Sequence, residues 1–346
     1  MTRIYGLVGA AALLFSALIT PAAAKGVASH SQAARFKIGL VLDVGGVNDK
    51  SFNHLAYTGM RTAISKFGDS GSYLPSNSQA DYVPNLTHYA QLHPNLIIAT
   101  GVLMSNAILT VAKQYPKQKF AIIDGYPEDA KFNKVNLKNV ANLLFHEQEA
   151  GYLAGVIAGL MEKDRVGKAR HNVIGAMGGL PVPAVVRYIA GYVAGAKKVD
   201  PTIKVRIGYS QSFTDQGKGN TVGRTQIASG ADILFAVAGG SGLGYLAAAQ
   251  QAGVYGVGVD ADQGYLGKYI ITSAVKHVET AVYNIVRDTS TGHFRSGDHI
   301  YTAKNGGVDF GKPSSVVPAS IVAQAVKYRE LLRTGAIVPP VTIPKT

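Results

Sequence analysis

The fold is decided by the apolar stretch Phe36-Lys37-Ile38-Gly39-Leu40-Val41-Leu42, which breaks off at Asp43-Val44-Gly45-Gly46-Val47-Asn48-Asp49-Lys50-Ser51-Phe52-Asn53. A mostly apolar run of this length is typical of a buried parallel strand. The polar and glycine residues after it then lie at the carboxyl end of the strand, which is the edge where open α/β sheets bind ligands. The stretch therefore predicts an α/β protein whose binding residues follow its strands.

The same alternation of short apolar runs and longer alanine-rich segments continues along the chain and predicts two series of βα units. We predict strands over residues 37–42, 96–99, 120–123, 140–144, 172–176, 204–209, 233–237, 255–259 and 269–273. We predict helices over residues 53–67, 105–114, 151–161, 183–198, 219–229, 242–252 and 276–287. The first lobe is expected over 36–146 and about 257–276, and the second over 147–256 and about 277–340, with several crossing strands as a hinge.

Length and composition favour an exported two-domain protein. The 346 residues are 47% hydrophobic and 16% charged, which suffices for about two cores. Arg3, the apolar residues 4–19 and the small residues of 21–24 indicate a cleaved signal peptide over residues 1–24. The sequence contains no cysteine, so we expect a soluble periplasmic protein that carries no lipid anchor.

The formal net charge of +13 is spread over the chain. The densest basic cluster, Lys163, Arg165, Lys168, Arg170 and His171, lies between a predicted helix and the next strand and indicates a solvated loop. A nucleic-acid partner is therefore not expected.

A glycine-rich loop over residues 239–244 follows one predicted strand and opens a helix, which is the setting of a dinucleotide-binding loop. The alternating Gly240, Gly242 and Gly244 do not match the G-x-G-x-x-G spacing, so no nucleotide cofactor is predicted. We interpret Gly239 and Gly240 as a place where main-chain N–H groups approach a ligand.

Two phenylalanines occupy equivalent places, one in each half: Phe52 and Phe213 each follow a serine just past a predicted strand. Each ring could pack under its own loop. As a pair, however, they could stack on both faces of a flat ligand ring, which favours an aromatic ligand such as a nucleobase.

Three aspartates, Asp43, Asp124 and Asp260, each end a predicted strand. A carboxylate accepts hydrogen bonds from sugar hydroxyls or from ring N–H groups, although such an aspartate can also cap a helix. Lys276, after another apolar run, could donate to a sugar oxygen or balance these acids. Signatures of catalysis, including G-x-S-x-G, the P-loop and H-E-x-x-H, are missing from the sequence, and we predict neither an enzyme nor a metal site.

Six motifs, read in order, resemble the basic membrane protein (BMP) family of ABC importer substrate-binding proteins, of the purine nucleoside receptor A type. They begin at Asp43, Asp81, Phe120, Gly151, Ala238 and Gly258, and read DVGGVNDKSFN, DYVPNL, FAIIDG, GYLAG, AGGSGLG and GVDADQ. The resemblance extends over essentially all of the chain after the predicted signal peptide.

This resemblance implies the type I periplasmic binding fold, with a purine stacked between Phe52 and Phe213. It implies that Asp43 and Asp124 read the base edge, that Asp260 and Lys276 hold the ribose, and that Met104 lines the base pocket. Backbone at Gly239 and Gly240 would assist. ABC permease and ATPase subunits would be the protein partners of a monomeric receptor.

Two positions depart from the family pattern, at His146 where relatives commonly have lysine and at Thr214 where they have asparagine. The second lies beside a predicted stacking ring, so the preferred base could differ. Three alternatives stay open on the sequence: a receptor for a free nucleobase or a sugar, a secreted nucleoside hydrolase, and an envelope protein without a transporter.

Overall fold

The computed structural model describes residues 36–344, so the predicted signal peptide over residues 1–24 lies outside the described part of the chain. Residues 36–344 contain twelve strands and nine α-helices. The strands are β1 (Lys37–Val41), β2 (Ser70–Leu74), β3 (Leu96–Thr100), β4 (Phe120–Ile123), β5 (Val140–Phe145), β6 (Val173–Gly178), β7 (Lys204–Tyr209), β8 (Ile233–Val237), β9 (Tyr255–Asp260), β10 (Ile270–Lys276), β11 (Gly297–Tyr301) and β12 (Val308–Phe310). The helices are α1 (Phe52–Phe67), α2 (Tyr82–Gln91), α3 (Ser105–Gln114), α4 (Glu147–Lys163), α5 (Pro183–Val199), α6 (Gln216–Ala228), α7 (Gly239–Ala252), α8 (Val278–Ser290) and α9 (Ala319–Arg333).

The strands form two six-stranded sheets. The first has the order β11-β5-β4-β3-β1-β2, and all of its neighbouring strands are parallel. The second has the order β12-β10-β9-β8-β6-β7 and is parallel except for the pair of β10 and β12. Every residue of the central strands β3, β4 and β8 is buried, because helices cover both faces of each sheet. The predicted fold, two doubly wound lobes of the type I periplasmic binding kind, is confirmed.

Three segments cross between the lobes and lie side by side. They follow β5, β10 and β11. The His146 N–H donates to the Tyr301 carbonyl at 2.9 Å, and the His277 N–H donates to the Gly307 carbonyl at 3.0 Å. The Ala303 N–H donates to the Glu149 carboxylate at 2.6 Å. The third crossing is thus hydrogen-bonded to both of the others, which gives the expected multi-segment hinge.

The predicted lobe boundaries need one correction. Residues 257–276 were expected in the first lobe, but β9 and β10 pair with each other and belong to the second sheet. The chain leaves that sheet only after Lys276. Instead, α8 packs on α1 and β11 pairs with β5, so 278–301 complete the first lobe. The apolar pattern of β10 shows a buried strand but not which sheet receives it.

Helices α4 and α5 pack with their backbones almost in contact. A Cβ atom added at Gly151 would lie 2.1 Å from the Tyr188 carbonyl oxygen, and one at Gly155 would lie 2.1 Å from the Tyr192 carbonyl oxygen. In the reverse direction, a Cβ at Gly191 would lie 2.0 Å from the Gln148 oxygen, and one at Gly195 would lie 2.1 Å from the Tyr152 oxygen. Because real Cβ atoms do not approach oxygen so closely, glycine is required on both helices.

We predict that Gly155→Ala lowers the free energy of unfolding by about 3 kcal/mol, because the added methyl group forces the two helices apart. Urea denaturation measures the change. Gly217→Ala is the matched control, since Gly217 is exposed in the first turn of α6. That control is expected to be neutral or stabilising by up to about 1 kcal/mol. Equal effects of the two substitutions would contradict the backbone contact.

Candidate functional site

A cavity lies where the carboxyl ends of strands from both sheets meet. It encloses about 640 Å³ of space free of protein atoms, including the part that opens to solvent. The first lobe contributes a wall that includes Asp43, Phe52, Gly101, Val102 and Asp124. The second contributes a wall that includes Val182, Tyr188, Phe213, Gly239, Asp260 and Lys276.

Seven of the nine predicted site residues line this one cavity: Asp43, Phe52, Asp124, Phe213, Gly239, Asp260 and Lys276. They come from both halves of the sequence and lie at strand ends, in the loop after a strand (Phe213), or in the first turn of the helix that follows. The structure therefore brings together residues that the sequence separates by more than two hundred positions. Their role toward a ligand stays a prediction.

The placement of Met104 corrects one prediction. Its side chain has no exposed surface and packs in the core of the first lobe with Val41 and Ile108. A short 3-10 turn over Val102–Met104 follows Gly101 and turns the third side chain away from the cavity. Val102 and Leu103 line the cavity instead.

Gly240 is also absent from the lining, although its neighbour Gly239 is present. A Cβ atom at Gly240 would lie 3.2 Å from the Phe213 carbonyl oxygen, so this glycine faces the loop that carries Phe213. The Phe213 carbonyl accepts the Ser241 N–H at 3.2 Å. Gly240 therefore contacts the loop that carries the Phe213 ring and does not itself line the cavity.

Asp43 is held rigidly at the end of β1 but keeps one oxygen free. Its Oδ1 accepts the Gly45 N–H at 2.8 Å and the Asn53 Nδ2–H at 2.7 Å. No group within residues 36–344 donates a hydrogen bond to Oδ2. A Cβ atom at Gly101 would lie 3.0 Å from that oxygen and 3.5 Å from Phe52 Cε1, so the glycine leaves room in front of both.

Lys276 carries a buried ammonium group among three carboxylates. It is hydrogen-bonded to Asp124 Oδ2, and its Nζ lies 3.5 Å from Asp260 Oδ1 and 3.7 Å from Glu147 Oε1. The Lys276 side chain is 2% exposed. The other oxygen of Asp124, Oδ1, is buried and has no hydrogen-bond partner in the described part of the chain. It is a second acceptor without a donor beside the cavity.

Two acidic side chains of the first wall, Asp43 and Asp124, bind protons unusually well. Burial raises the pKa of Asp43 to about 6, although the Asn53 amide opposes this change. Burial also raises the pKa of Asp124 to about 7, with Lys276 opposing and Glu147 adding to the shift. Burial by itself would lower the pKa of Lys276, but the surrounding carboxylates raise it, so the lysine stays charged.

Asp260 links the second lobe to the first. Its Oδ2 accepts the Ser51 hydroxyl at 2.7 Å, and its Oδ1 accepts the Tyr188 hydroxyl at 3.1 Å. Asp124 and Asp260 have matching left-handed backbones, with φ of 59° and 58°. A residue other than glycine in this region costs roughly 1–3 kcal/mol, and such residues concentrate at ligand sites.

The two predicted stacking rings are placed by different contacts. Phe52 begins α1, and Lys276 Nζ lies 4.8 Å from the centre of its ring. Phe213 lies in the loop after β7, against the backbone of Gly179, where a Cβ atom would come within 2.4 Å of the ring. Each lobe thus contributes one phenylalanine to the cavity.

Several wall residues were not predicted. Tyr188, together with Val182, Ala184 and Val185 at the start of α5, forms part of the second wall. Their sequence reads as an ordinary apolar helix, so no local pattern marks them. For Gly101 the sequence contained a signal of a wall residue, because this glycine follows β3 where the neighbouring strands are followed by aspartate. In the structure its backbone has a left-handed φ of 89°.

The two departures from the family pattern lie outside the cavity wall. Thr214 is exposed, and its side chain contacts only the Ser212 hydroxyl at 3.3 Å. His146 lies at the first crossing, where its Nδ1 is 2.8 Å from Glu149 Oε1. Neither side chain is among those that surround the cavity.

A cavity between two parallel sheets, with strand-end side chains from each and a hinge of three segments, defines a two-lobed substrate-binding protein. The chain belongs to the Bmp family: the family model described as "ABC transporter substrate-binding protein PnrA-like" matches residues 36–345. It is thus an ABC transporter substrate-binding protein of this family, as the sequence motifs predict.

Individual relatives agree with this assignment. The ABC transporter nucleoside-binding protein BmpA of Lactococcus lactis is 36% identical over 298 residues, which cover 80% of this chain and 81% of that protein. An ABC transporter solute-binding protein of Aeropyrum pernix has a similar structure, with a TM-score of 0.80 and 25% identity over 88% of this chain and 94% of that one. A Pyrococcus furiosus protein, 33% identical over 82% of this chain and 71% of its own length, is described as an uncharacterized lipoprotein.

Two further observations concern residues 36–344. None of the helices in this range is long and apolar enough to cross a membrane. Within the same range, no group of three or more His, Asp or Glu side chains is arranged to hold a metal ion. Substrate-binding proteins of ABC transporters work with the permease and ATPase components of their transporters.

We predict that Lys276→Met lowers the free energy of unfolding by about 3–5 kcal/mol at neutral pH, since three buried carboxylates lose their shared cation. The loss should shrink as the pH falls, because burial raises the pKa of Asp124 and the variant lacks the lysine that opposes this shift, so the folded variant takes up a proton there more readily than the unfolded chain does. Urea denaturation at about pH 5 and about pH 8 measures both effects. Lys304→Met, at an exposed lysine, is the matched control.

Proposed function

We propose that the protein is a receptor for purine nucleosides, which it binds between its lobes and delivers to an ABC permease. The observation that carries the proposal is the pairing of two aromatic rings, one from each lobe, with two acceptor oxygens that receive no hydrogen bond from residues 36–344: Asp43 Oδ2 and Asp124 Oδ1. Ring N–H and amino groups of a purine would supply those donors. The nucleoside-binding relative from L. lactis supports the choice of ligand.

In the proposed complex the base lies between Phe52 and Phe213, with its edge toward Asp43 and Asp124. The ribose then lies toward Asp260 and Lys276, whose carboxylate and ammonium groups suit hydroxyl partners. The backbone at Gly239 approaches the ligand, and its left-handed φ of 51° aims the start of α7 at the cavity. Binding contacts on both walls favour the closed arrangement of the lobes.

We extend the proposal to location and partners. The leader-like residues 1–24 and the lack of cysteine favour a mature protein that is released into the periplasm without a lipid, although some relatives are named lipoproteins. The protein acts as a monomer and as a binder, not as an enzyme. Mass spectrometry of the protein recovered from a periplasmic extract tests the cleavage site and the absence of a lipid.

The proposed function first predicts which class of ligand stabilises the protein. Inosine, guanosine or adenosine at a concentration 100 times the dissociation constant should stabilise the native state by about 2.7 kcal/mol and raise the melting temperature. Hypoxanthine and ribose should have little effect separately. Stabilisation by the base alone or by sugars alone would replace the nucleoside with that ligand, and ribose release from inosine would indicate a hydrolase.

The second prediction concerns the aromatic pair. Phe52→Ala and Phe213→Ala should each weaken nucleoside binding by roughly 10- to 100-fold, because each removes a stacking face and buried apolar area. Isothermal titration calorimetry gives the dissociation constants. Phe132→Ala is the matched control, since Phe132 is 82% exposed and lies outside the cavity wall. Undiminished binding in both cavity variants would refute the stacked arrangement.

The third prediction concerns pH. The ionised carboxylates accept the ligand's donors, and the pKa values of Asp43 and Asp124 are about 6 and about 7. Nucleoside affinity should therefore rise as the pH increases from about 5 to about 8, by up to about tenfold per pH unit for each proton released. Calorimetry across this range measures the slope. Asp124→Asn should remove the upper part of the profile.

A further inference from the structure

Behind the cavity, a buried carboxylate and a partly exposed guanidinium form an ion pair that does not line it. Glu147 is the first residue of α4, and its side chain has no exposed surface. Arg187, on α5, donates from Nε to Glu147 Oε2 at 2.6 Å and is 23% exposed. Neither residue is part of the cavity wall.

The pair is connected to the wall through Lys276. The second oxygen of Glu147, Oε1, lies 3.7 Å from Lys276 Nζ and accepts no hydrogen bond from residues 36–344. Lys276 in turn is bonded to Asp124 and lies 3.5 Å from Asp260. A chain of charged groups therefore leads from Arg187 through Glu147 and Lys276 to the Asp124 carboxylate.

Arg187 reduces the excess negative charge of this cluster. Three carboxylates, from Asp124, Glu147 and Asp260, surround one ammonium group, which leaves a net charge of −2 when all are ionised (1 − 3). Arg187 reduces it to −1. An uncompensated buried carboxylate takes up a proton in preference to staying charged, and Asp124 already has a pKa near neutrality.

The glycine contacts between α4 and α5 fix the geometry of the pair. Gly191 packs against the carbonyl of Gln148, the residue after Glu147. Gly151 packs against the carbonyl of Tyr188, the residue after Arg187. The two helices are thus held together within one residue of the ion pair on each side, so the guanidinium has little freedom to leave its carboxylate.

We infer that Arg187 is a positioning residue: through Glu147 it holds Lys276 between Asp124 and Asp260, and so keeps the Asp124 carboxylate ionised for the ligand. This inference rests on the proposed function for its ligand. The arginine does not contact the nucleoside. It acts by supplying the second cation that a cluster of three carboxylates requires.

Other groups near the cluster also affect its charge. Lys276 and Asp260 face Asp124 from β10 and β9, Glu147 from α4, and Arg187 and Tyr188 from α5. Tyr126, after β4, lies close to Arg187. The His146 imidazole, whose pKa Glu149 raises, adds positive charge near Glu147 at acid pH. Each of the two measurements described below is therefore repeated in a His146→Gln background.

The first measurement needs no ligand. Carbon-13 NMR of side-chain carboxyl groups follows the titration of Asp124 in the ligand-free protein, with Asp124→Asn to assign its signal. Arg187→Gln should raise the midpoint of the Asp124 titration by at least about one pH unit, whereas Arg187→Lys, which keeps the charge, should stay close to the wild type. Adding Glu147→Gln to Arg187→Gln removes both charges of the pair and should return the midpoint toward the wild-type value.

The second measurement is inosine binding by calorimetry. Arg187→Gln should weaken binding about tenfold at about pH 7 and recover most of the loss at about pH 8.5, where Asp124 ionises again. An unchanged Asp124 midpoint, or a loss of affinity that is equal at both pH values, would overturn the inference. If the wild type binds no nucleoside, the proposed function fails, while the NMR titration still decides the role of Arg187.

Discussion

Lys276 holds a full positive charge in the protein interior, with Asp124, Asp260 and Glu147 all within 3.7 Å or less of its ammonium group. Desolvating these groups costs several kcal/mol for each ion, and only close mutual contact offsets the cost. The four side chains come from β10, from the ends of β4 and β9, and from the start of α4. The ends of two sheets and one hinge segment must therefore meet at a single point for the charges to be compensated. This requirement ties the position of one lobe to that of the other.

The fold meets the requirement through its connections. The chain leaves the first sheet at Phe145 and places Glu147 at once in the cluster; it leaves the second sheet at Lys276, which is itself the central cation. Two of the three hinge segments thus begin within the charged cluster. The Ser51 hydroxyl, which donates to Asp260, adds a direct hydrogen bond between the lobes. The site and the hinge are accordingly one structure, and any change in the charge at the site acts directly on the joint.

Much of this arrangement can be predicted from the sequence. Strands β4, β7 and β8 have the predicted bounds, and β4 and β7 end directly before the polar residues Asp124 and Ser210. The aspartates and phenylalanines after the strands meet in the cavity because the carboxyl ends of parallel strands share one edge. The sequence alone does not reveal β2, α2, β11, β12 and α9. Three of these are strands at the edges of their sheets, where partial exposure interrupts the apolar pattern.

Other features escape prediction because they depend on tertiary contacts. Met104 lies three residues after Gly101, which lines the cavity, and only the geometry of the turn after Gly101 sends its side chain into the core. The Glu147–Arg187 pair joins residues forty positions apart on two apolar helices, and no local pattern in the sequence pairs them. The assignment of β9 and β10 to the second sheet likewise depends on strand pairing, which an apolar pattern does not specify.

The backbone contact between α4 and α5 has a mechanical consequence. Helix α4 follows directly from the first hinge segment, and the start of α5 forms part of the cavity wall. Because almost no side-chain layer separates the two helices, they cannot shift relative to each other by repacking side chains. They should move as one rigid body, so that a rotation of a few degrees at His146 turns the ligand-facing wall by the same angle. The close packing allows the hinge rotation to move the cavity wall without deforming the helix pair. It depends on the glycines Gly151, Gly155, Gly191 and Gly195.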